Sequence, residues 1–281
     1  MKQEQRPERT FDQKKTDYFA GLALSVLSAM RMHKDPGMLW ERNKEGKRSW
    51  ENISAHCLTE LARFKVFSEK LGLPKEVGRN GELGATLHDF DKRQEILAMR
   101  AALERGESGV EASDAADAEG ERQLRQGGFS KEVIEFASCA GGKPPELFEI
   151  ARLLGKSDLT DHEAALLTLH YVDGYTRGDV WAEPVVKQED GSVLNEVDRR
   201  TRKNLDNPAY RKANEESVPL FEGSPLLRGR GGIENEGLVC HEIEKKLAEI
   251  IAARTGKKID PLELPEVVDA EIKRKIEEVE A

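Results

Sequence analysis

The chain has 281 residues, of which 38% are hydrophobic and 35% are charged, and its formal net charge is −9. This hydrophobic fraction is enough for a sizeable core, in one large domain or two small ones. The acidic balance argues against a general nucleic-acid-binding protein and against binding to an anionic membrane surface, because both need a basic face. A small phosphorylated substrate is not excluded, since a metal ion and a few local cations could hold it.

The three cysteines, Cys57, Cys139 and Cys240, are odd in number and far apart in the sequence. They form no CxxC pair and no evident disulfide framework, which favours reduced thiols and a cytoplasmic location. The N-terminal residues are polar and include acidic side chains, unlike a signal peptide. No apolar segment approaches the length of a membrane span.

The first half of the chain predicts three helices after a charged, flexible N-terminus over residues 1–15. Apolar residues recur at helical spacing over 16–33, and again from about 49–52 to Leu71. A third helix is predicted from Glu82 to about Leu103. It would carry the dipeptide His88-Asp89 near its first turns.

Residues 105–128 are rich in Ala, Asp, Glu and Gly and hold almost no large apolar side chain. A segment of this composition buries little surface, so we predict a mobile insertion. Beyond it, Thr160-Asp161-His162-Glu163 fits a capping box, which predicts a helix from Ala164 to about Thr176. That helix would carry Asp173. Five further helices are predicted: one over 130–139, a short one that ends near 154, and three over 195–204, 238–253 and 265–279. An irregular loop is predicted over 220–237.

These elements, with no strand pattern of useful length, predict an all-α protein. We expect a compact helical domain over residues 16–215, followed by a loop and C-terminal helices over residues 216–281. The late amphipathic helices fit docking of a partner protein and formation of a homo-oligomer equally well.

Four residues carry the chemistry that this sequence suggests: His56, His88, Asp89 and Asp173. Taken singly, each has an ordinary structural explanation, such as a histidine bonded at the edge of the core. Together, two imidazoles and two carboxylates are a ligand set for a divalent ion such as Mn, Fe, Co, Ni or Zn. They would fill four positions of an octahedron and leave two open, as metal-assisted hydrolysis requires.

The order of these four residues resembles that of the HD-domain superfamily of metal-dependent phosphohydrolases. The run from Ala85 to Lys92 and the segment Asn52–His56 are similar to the family's motif segments. The resemblance spans roughly residues 20 to 180. It implies an HD-domain-like helical bundle with a helical C-terminal extension, and one divalent metal ion (Mn, Fe, Co, Ni, Zn or Mg) held by the four residues. It also implies hydrolysis of a nucleotide or related phosphate ester by a metal-activated water.

Further roles are expected for residues near these ligands. Asp89 would also orient or deprotonate the attacking water, and Lys92, about one helical turn later, would stabilise the phosphoryl oxygens. His170, Asp173 and Arg177 share one face of a predicted helix, so His170 and Arg177 are candidate substrate-binding residues. The alternatives are a solvated lysine, packing of His170 at the core edge, and an ion pair of Arg177.

The resemblance leaves the type of phosphate ester open between monoester and diester. Lys92 stands where the family's small deoxynucleotidases usually carry Glu, and where cyclic-dinucleotide phosphodiesterases commonly carry Lys. The extra histidines of the latter group are absent, and Gly174-Tyr175 is followed by Thr176 rather than by proline. The alternative function is that of a catalytically silent HD-type protein, which binds a nucleotide or a partner protein as a regulator.

Overall fold

A computed structural model of the chain describes residues 10–25, 27–33, 51–178, 180–189 and 191–279. Within these ranges the protein is all-α, as the sequence predicts, with one short β-hairpin of strands β1 (Val186–Lys187) and β2 (Val193–Leu194). The α-helices are α1 (Phe11–Ser25), α2 (Leu27–Met32), α3 (Glu51–Lys70), α4 (Lys75–Leu87), α5 (Lys92–Glu104), α6 (Gly109–Gln126), α7 (Lys131–Ser138), α8 (Pro144–Leu154), α9 (Asp161–Tyr175), α10 (Glu196–Asp206), α11 (Pro208–Ser217), α12 (Gly232–Thr255) and α13 (Leu264–Glu277).

Helices α3 and α9 lie at the centre of the fold. Helix α3 packs against α4, α9 and α13, and α9 packs against α4 and α12. The capping box predicted at Thr160 is present, with the Thr160 hydroxyl accepting a hydrogen bond from the backbone of Glu163. Phe67 of α3 meets Tyr171 of α9 edge to face, with ring centroids 5.8 Å apart. These two buried helices form the rigid frame on which the candidate site is built.

The C-terminal helices pack on the same core as the rest of the chain, which answers a question that the sequence left open. Helix α12 packs against α8, α9 and α10, and α13 packs against α1 and α3. Close approach of α12 to α9 requires Gly174, since a Cβ there would lie 2.3 Å from the Cys240 sulfur. Among the described helices, none combines the length and the apolar character that crossing a bilayer would require.

The predicted third helix, from Glu82 to Leu103, is wrong: the structure has two helices there. Helix α4 ends at Leu87 and α5 begins at Lys92, so His88 and Asp89 lie in the turn between them. The amide of His88 still bonds to the carbonyl of Gly84, and the side chain of Phe90 turns into the core. The sequence carries no glycine or proline at this break, so it offers no local signal that would have predicted it.

The segment predicted as a mobile insertion, residues 105–128, instead contains helix α6. The Ser108 hydroxyl caps it by accepting a hydrogen bond from the amide of Glu111 at 3.3 Å. Its Ala, Glu, Gln and Arg residues are good helix formers. The helix packs against α5 and α7, and burial of a narrow stripe that includes Ser113 and Leu124 is sufficient to hold it there.

The predictions for the two ends of the chain also need adjustment. Residues 1–9 of the predicted flexible N-terminus lie outside the described residues, and α1 already begins at Phe11. Residues 49 and 50, where the second helix was expected to begin, also lie outside them. The predicted loop over 220–237 is irregular only in part, because α12 begins at Gly232. Helix α11 has no counterpart among the predicted elements.

Candidate metal centre

Three of the four predicted ligands, His56, His88 and Asp173, converge on one point, and the fourth, Asp89, lies beside the two histidines. His56 lies on α3, His88 and Asp89 in the turn between α4 and α5, and Asp173 on α9. The Nε2 atom of His56 lies 3.3 Å from Nε2 of His88 and 3.4 Å from Oδ1 of Asp173. Oδ2 of Asp89 lies 3.9 Å from the same His56 nitrogen and 3.7 Å from Nε2 of His88.

These separations match those of ligands around a single ion. Metal–ligand bonds of about 2.0–2.2 Å place neighbouring ligand atoms about 3 Å apart and opposite ones about 4.3 Å apart. The distances from the two histidine Nε2 atoms to each other and to the carboxylate oxygens of Asp89 and Asp173 run from 3.3 to 4.0 Å. His56, His88 and Asp173 belong to a group of side chains that could hold one metal ion, whereas Asp89 contacts both histidines but is not a member of that group.

Glu60, which the sequence analysis did not identify, belongs to the same cluster. It follows His56 by one turn of α3, and its side chain is completely buried. One oxygen lies 2.8 Å from Nε2 of His56 and the other 3.1 Å from Nδ1 of His88, yet neither makes a well-directed hydrogen bond to a described residue. Single ligand atoms of His56, Glu60, His88 and Asp173 all lie within 4.8 Å of one another. The i, i+4 spacing from His56 was the one signal that could have found it.

A buried carboxylate without hydrogen bonds is costly unless a cation lies beside it. Burial raises the pKa of Glu60, because the charged form loses its hydration. Burial alone would lower the pKa of His56, but the carboxylates of Glu60 and Asp173 outweigh it and raise that pKa to about 10. The cluster thus attracts positive charge strongly, and this donor set fits a divalent ion.

Asp89 joins the cluster to the protein surface. Its Oδ2 faces the two histidines, whereas its Oδ1 lies 3.7 Å from the ammonium group of Lys92. Lys92 also pairs with Glu95 at 2.9 Å. Asp89 is the main cause of the raised pKa of Lys92, which therefore stays charged. The structure thus places Lys92 beside the cluster, on its solvent side.

Arg200 of α10 is a second residue that the sequence analysis missed. Its guanidinium contacts both the carbonyl and the Oδ1 atom of Asp173, the latter at 3.2 Å, and donates to the carbonyl of Thr176 at 2.7 Å. It also lies 3.8 Å from Glu236 of α12. Burial would raise the pKa of Asp173, but Arg200 and His56 hold it well below its usual value. Nothing in the polar run around Arg200 distinguishes it from its neighbours.

Arg177 does not join the cluster, contrary to the prediction from the shared helix face. Its guanidinium pairs with Glu196 and, at 2.9 Å, with Glu183, which is the ion-pair alternative. The reason is that α9 ends at Tyr175 and Thr176 has extended backbone angles. Arg177 therefore lies beyond the end of the helix and does not share a helix face with His170.

His170 is buried in the core rather than exposed to a substrate. Its ring is 1% exposed, and its Nδ1 lies 2.9 Å from the carbonyl of Cys139, to which it can donate. Its Nε2 has no partner among the described residues. Burial lowers the pKa of His170, so the neutral ring is favoured. The packing alternative describes His170 better than the substrate-binding one.

A cleft of about 530 Å³ opens beside the cluster. His88, Asp89 and Lys92 line one end of it, one face of α6 forms a wall, and residues 137–146 contribute the opposite side. This volume suits a small organic ligand.

Comparisons of the chain with protein-family models, with curated proteins and with solved structures found no match.

Proposed function

We propose that the chain is an HD-type, metal-dependent phosphohydrolase that acts on a nucleotide or a related phosphate ester. One observation carries the proposal: His56, His88 and Asp173 converge at a point that a metal ion could occupy, and Asp89 lies between the two histidines and a cleft. The order of these residues in the chain, which resembles the HD pattern, supports it. So does the position of a lysine at the open edge of the cluster.

His56, His88, Asp89 and Asp173 would hold one divalent ion, with Glu60 beside Nε2 of His56 and Nδ1 of His88. Bound there, the ion would supply a Lewis acid for the phosphoryl group and lower the pKa of a coordinated water. Nδ1 of His88 lies 3.0 Å from the carbonyl of Ala85. A hydrogen bond to that carbonyl keeps the proton on Nδ1 and leaves the Nε2 lone pair free for the ion.

The roles of the remaining residues follow from their positions. Asp89 is a quarter exposed, and its Oδ1 faces Lys92 and the cleft, so this oxygen can accept a proton from the attacking water. The Lys92 ammonium can stabilise negative charge that develops on the phosphoryl oxygens. Arg200 is a positioning residue, since it fixes the carboxylate of Asp173 against the histidines.

The test combines metal analysis with phosphate release. The purified protein is dialysed against Mn²⁺, Fe²⁺, Co²⁺, Ni²⁺, Zn²⁺ or Mg²⁺ and assayed with nucleoside mono-, di- and triphosphates, sugar phosphates and a cyclic dinucleotide. We expect about one bound ion per chain, and phosphate release that EDTA abolishes. Asp89→Asn, at a partly exposed position, should fold and lose at least about 100-fold in kcat.

The matched control is His162→Asn, because His162 is a half-buried histidine of α9 that pairs with Glu135, outside the cluster. This variant should keep both the ion and the activity, whereas His88→Asn should lose the ion. A wild-type protein that retains none of these ions would overturn the metal centre. An ion-loaded protein that releases phosphate from none of the esters would overturn the hydrolase assignment.

A further inference from the structure

A continuous chain of polar contacts runs from the metal cluster along the wall of the cleft. It starts at Asp89 and Lys92, and Lys92 pairs with one oxygen of Glu95 at 2.9 Å. The other Glu95 oxygen accepts a hydrogen bond from the hydroxyl of Ser113 at 2.7 Å. Ser113 accepts in turn from the ammonium group of Lys143 at 3.0 Å. The chain therefore links the cluster to α6 and to the start of α8.

The far end of this chain is acidic. Lys143 contacts Asp117 and, at 3.3 Å, Asp114, both on the exposed side of α6. Each of the two cleft lysines is thus already held by two carboxylates, Lys92 by Asp89 and Glu95 and Lys143 by this pair. Lys143 has all three N–H donors engaged, by Ser113, Asp114 and Asp117, whereas Lys92 has one donor left for a single phosphate.

Among the described residues, seven carboxylate side chains and two lysines line the cleft. Carboxylates therefore outnumber lysines by seven to two. The cleft therefore has no positive surplus beyond the divalent ion itself.

The position of the acidic wall is fixed by a close contact between α6 and the turn that carries the ligands. A Cβ on Gly120 would lie 1.8 Å from Oδ2 of Asp91, so the backbone of α6 rests directly on that side chain. Asp91 is two residues from Asp89. The acids of α6 and the metal cluster therefore face one shared space, at a distance set by packing.

We propose that the cleft selects phosphate monoesters whose organic part is uncharged or cationic, and rejects substrates that carry a second phosphate or a carboxylate. This inference rests on the proposed phosphohydrolase function. A single phosphate would lie against the ion and Lys92, where the charges are favourable. The organic part would lie against α6, where donors such as hydroxyl or ammonium groups meet Asp114 and Asp117. A further anionic group would meet like charge there, and such juxtaposition is how a site discriminates against the wrong ligand.

The experiment uses three sugar phosphates of nearly equal size: glucosamine 6-phosphate, glucose 6-phosphate and 6-phosphogluconate, which are cationic, neutral and anionic beyond the phosphate. For each, kcat/KM of the ion-loaded protein is measured, and binding is measured by calorimetry. AMP, ADP and ATP form a second series. We expect kcat/KM for the cationic and neutral esters to be at least about tenfold higher than for the anionic one, and kcat/KM for AMP to be higher than for ATP by a similar factor. The ratios should shrink at high salt, because the acids of α6 are exposed.

The variant Asp114→Asn/Asp117→Asn should reduce the discrimination against 6-phosphogluconate by about tenfold, without changing the metal content. The matched control is Glu119→Gln, which removes a charge from the same helix at a position that pairs with Arg122 and does not line the cleft. It should leave the ratios unchanged.

The two proposals fail in different ways. Equal or better turnover of 6-phosphogluconate and ATP, or ratios that the double variant leaves unchanged, would overturn the selectivity but not the hydrolase. Binding in the expected order without any phosphate release would support the selectivity of the cleft and overturn the hydrolase. Absence of both binding and release in the ion-loaded protein would overturn both.

Discussion

At the residue scale, Glu60 places a carboxylate in the interior, against Nε2 of His56 and Nδ1 of His88 and without a well-directed hydrogen bond to any described residue. Such a group lowers the stability of the fold and raises the affinity for a cation. In the metal-free protein its partners are His56 and His88, at 2.8 and 3.1 Å, and burial still disfavours its charged form. With an ion in place it becomes part of a neutralised cluster.

We predict that Glu60→Gln changes stability and metal affinity in opposite directions. The metal-free variant should be more stable than wild type by about 1–3 kcal/mol, because burial raises the pKa of Glu60 and so makes its charged form costly, and an amide carries no charge there. Its affinity for the ion should fall by about 10- to 100-fold, as for other carboxylates that support metal-binding histidines. Unfolding with EDTA and with Mn²⁺ measures both quantities.

The control for this prediction is Glu69→Gln on the same helix, since Glu69 is exposed and pairs only on the surface, with Lys275. It should change neither quantity by more than about 1 kcal/mol. A Glu60→Gln variant that loses stability in EDTA would show that the carboxylate is satisfied in the metal-free protein.

Individual residues show where sequence reasoning succeeds and where it stops. The grouping of His56, His88 and Asp173 was predictable, because their residue types and order are those of a metal-ligand set. Glu60 was signalled only by its i, i+4 spacing from His56, and Arg200 by nothing in the sequence, since only the packing of α10 on α9 brings it to Asp173. The prediction for Arg177 failed because it assumed that α9 continues beyond Tyr175.

At the element scale, a buried ion pair joins α13 to α3. The guanidinium of Arg63 donates to both oxygens of Asp269, at 2.8 and 2.6 Å, and both side chains are essentially inaccessible to solvent. Asp269 also accepts from the amide of Ala182, and Arg63 lies over the ring of Tyr175. This pair ties the C-terminal helix to the helix that carries His56.

We predict that Asp269→Ala destabilises the protein by about 3–5 kcal/mol, because it leaves the Arg63 charge buried and unpaired. Urea unfolding followed by circular dichroism measures the change. The matched substitution in an exposed pair, Glu278→Ala opposite Arg274, should cost at most about 1 kcal/mol. Equal losses of stability in the two variants would show that the buried pair contributes no more than the exposed one.

A second cluster fastens α12 to α10. His241 has Glu244 at 2.8 Å from its Nδ1 and Asp198 at 3.1 Å from its Nε2. Burial lowers the pKa of His241, but these two carboxylates outweigh burial and raise it to about 9. Glu244 also accepts hydrogen bonds from Tyr171 and Asn195, so the cluster reaches α9.

Because the pKa of His241 is higher in the folded protein than its unfolded value of about 6.5, its stabilising contribution is complete below pH 6.5. It is lost as the pH rises through about 9. We predict a fall of roughly 2 kcal/mol in the free energy of unfolding between pH 6.5 and 9.5, after allowance for partial exposure. Urea unfolding across this range measures it. His241→Asn should lack this part of the decline, whereas His162→Asn should keep it.

At the scale of the whole molecule, the predicted boundary at residue 216 does not separate two cores. Aliphatic side chains of α12 and α13 are buried against α9 and α3 to 1% exposure or less. They are Val239, Ile243, Leu247, Ile251, Val268, Ile272 and Ile276. Sequence composition could not show this, because an amphipathic helix that packs on its own chain has the same pattern as one that binds a partner.

We predict that a fragment of residues 1–215 does not fold cooperatively. Each of those aliphatic side chains contributes about 1.5–3 kcal/mol on burial, and their sum is as large as the whole stability of a typical domain. The fragment also lacks Asp269 and so leaves Arg63 unpaired. Thermal unfolding of the fragment, with and without separately expressed residues 216–281, measures this. A sharp transition in the fragment alone would show that the C-terminal helices are dispensable.

The contribution of α6 to the cleft has an evolutionary consequence. The candidate ligands lie on α3, on the turn before α5 and on α9, whereas the acidic wall lies on α6. Substitutions on that one helix could alter which molecules enter without moving any ligand. We therefore expect homologous chains to diverge most at the positions of Asp114 and Asp117, and a transplanted α6 to carry its preference into a new host.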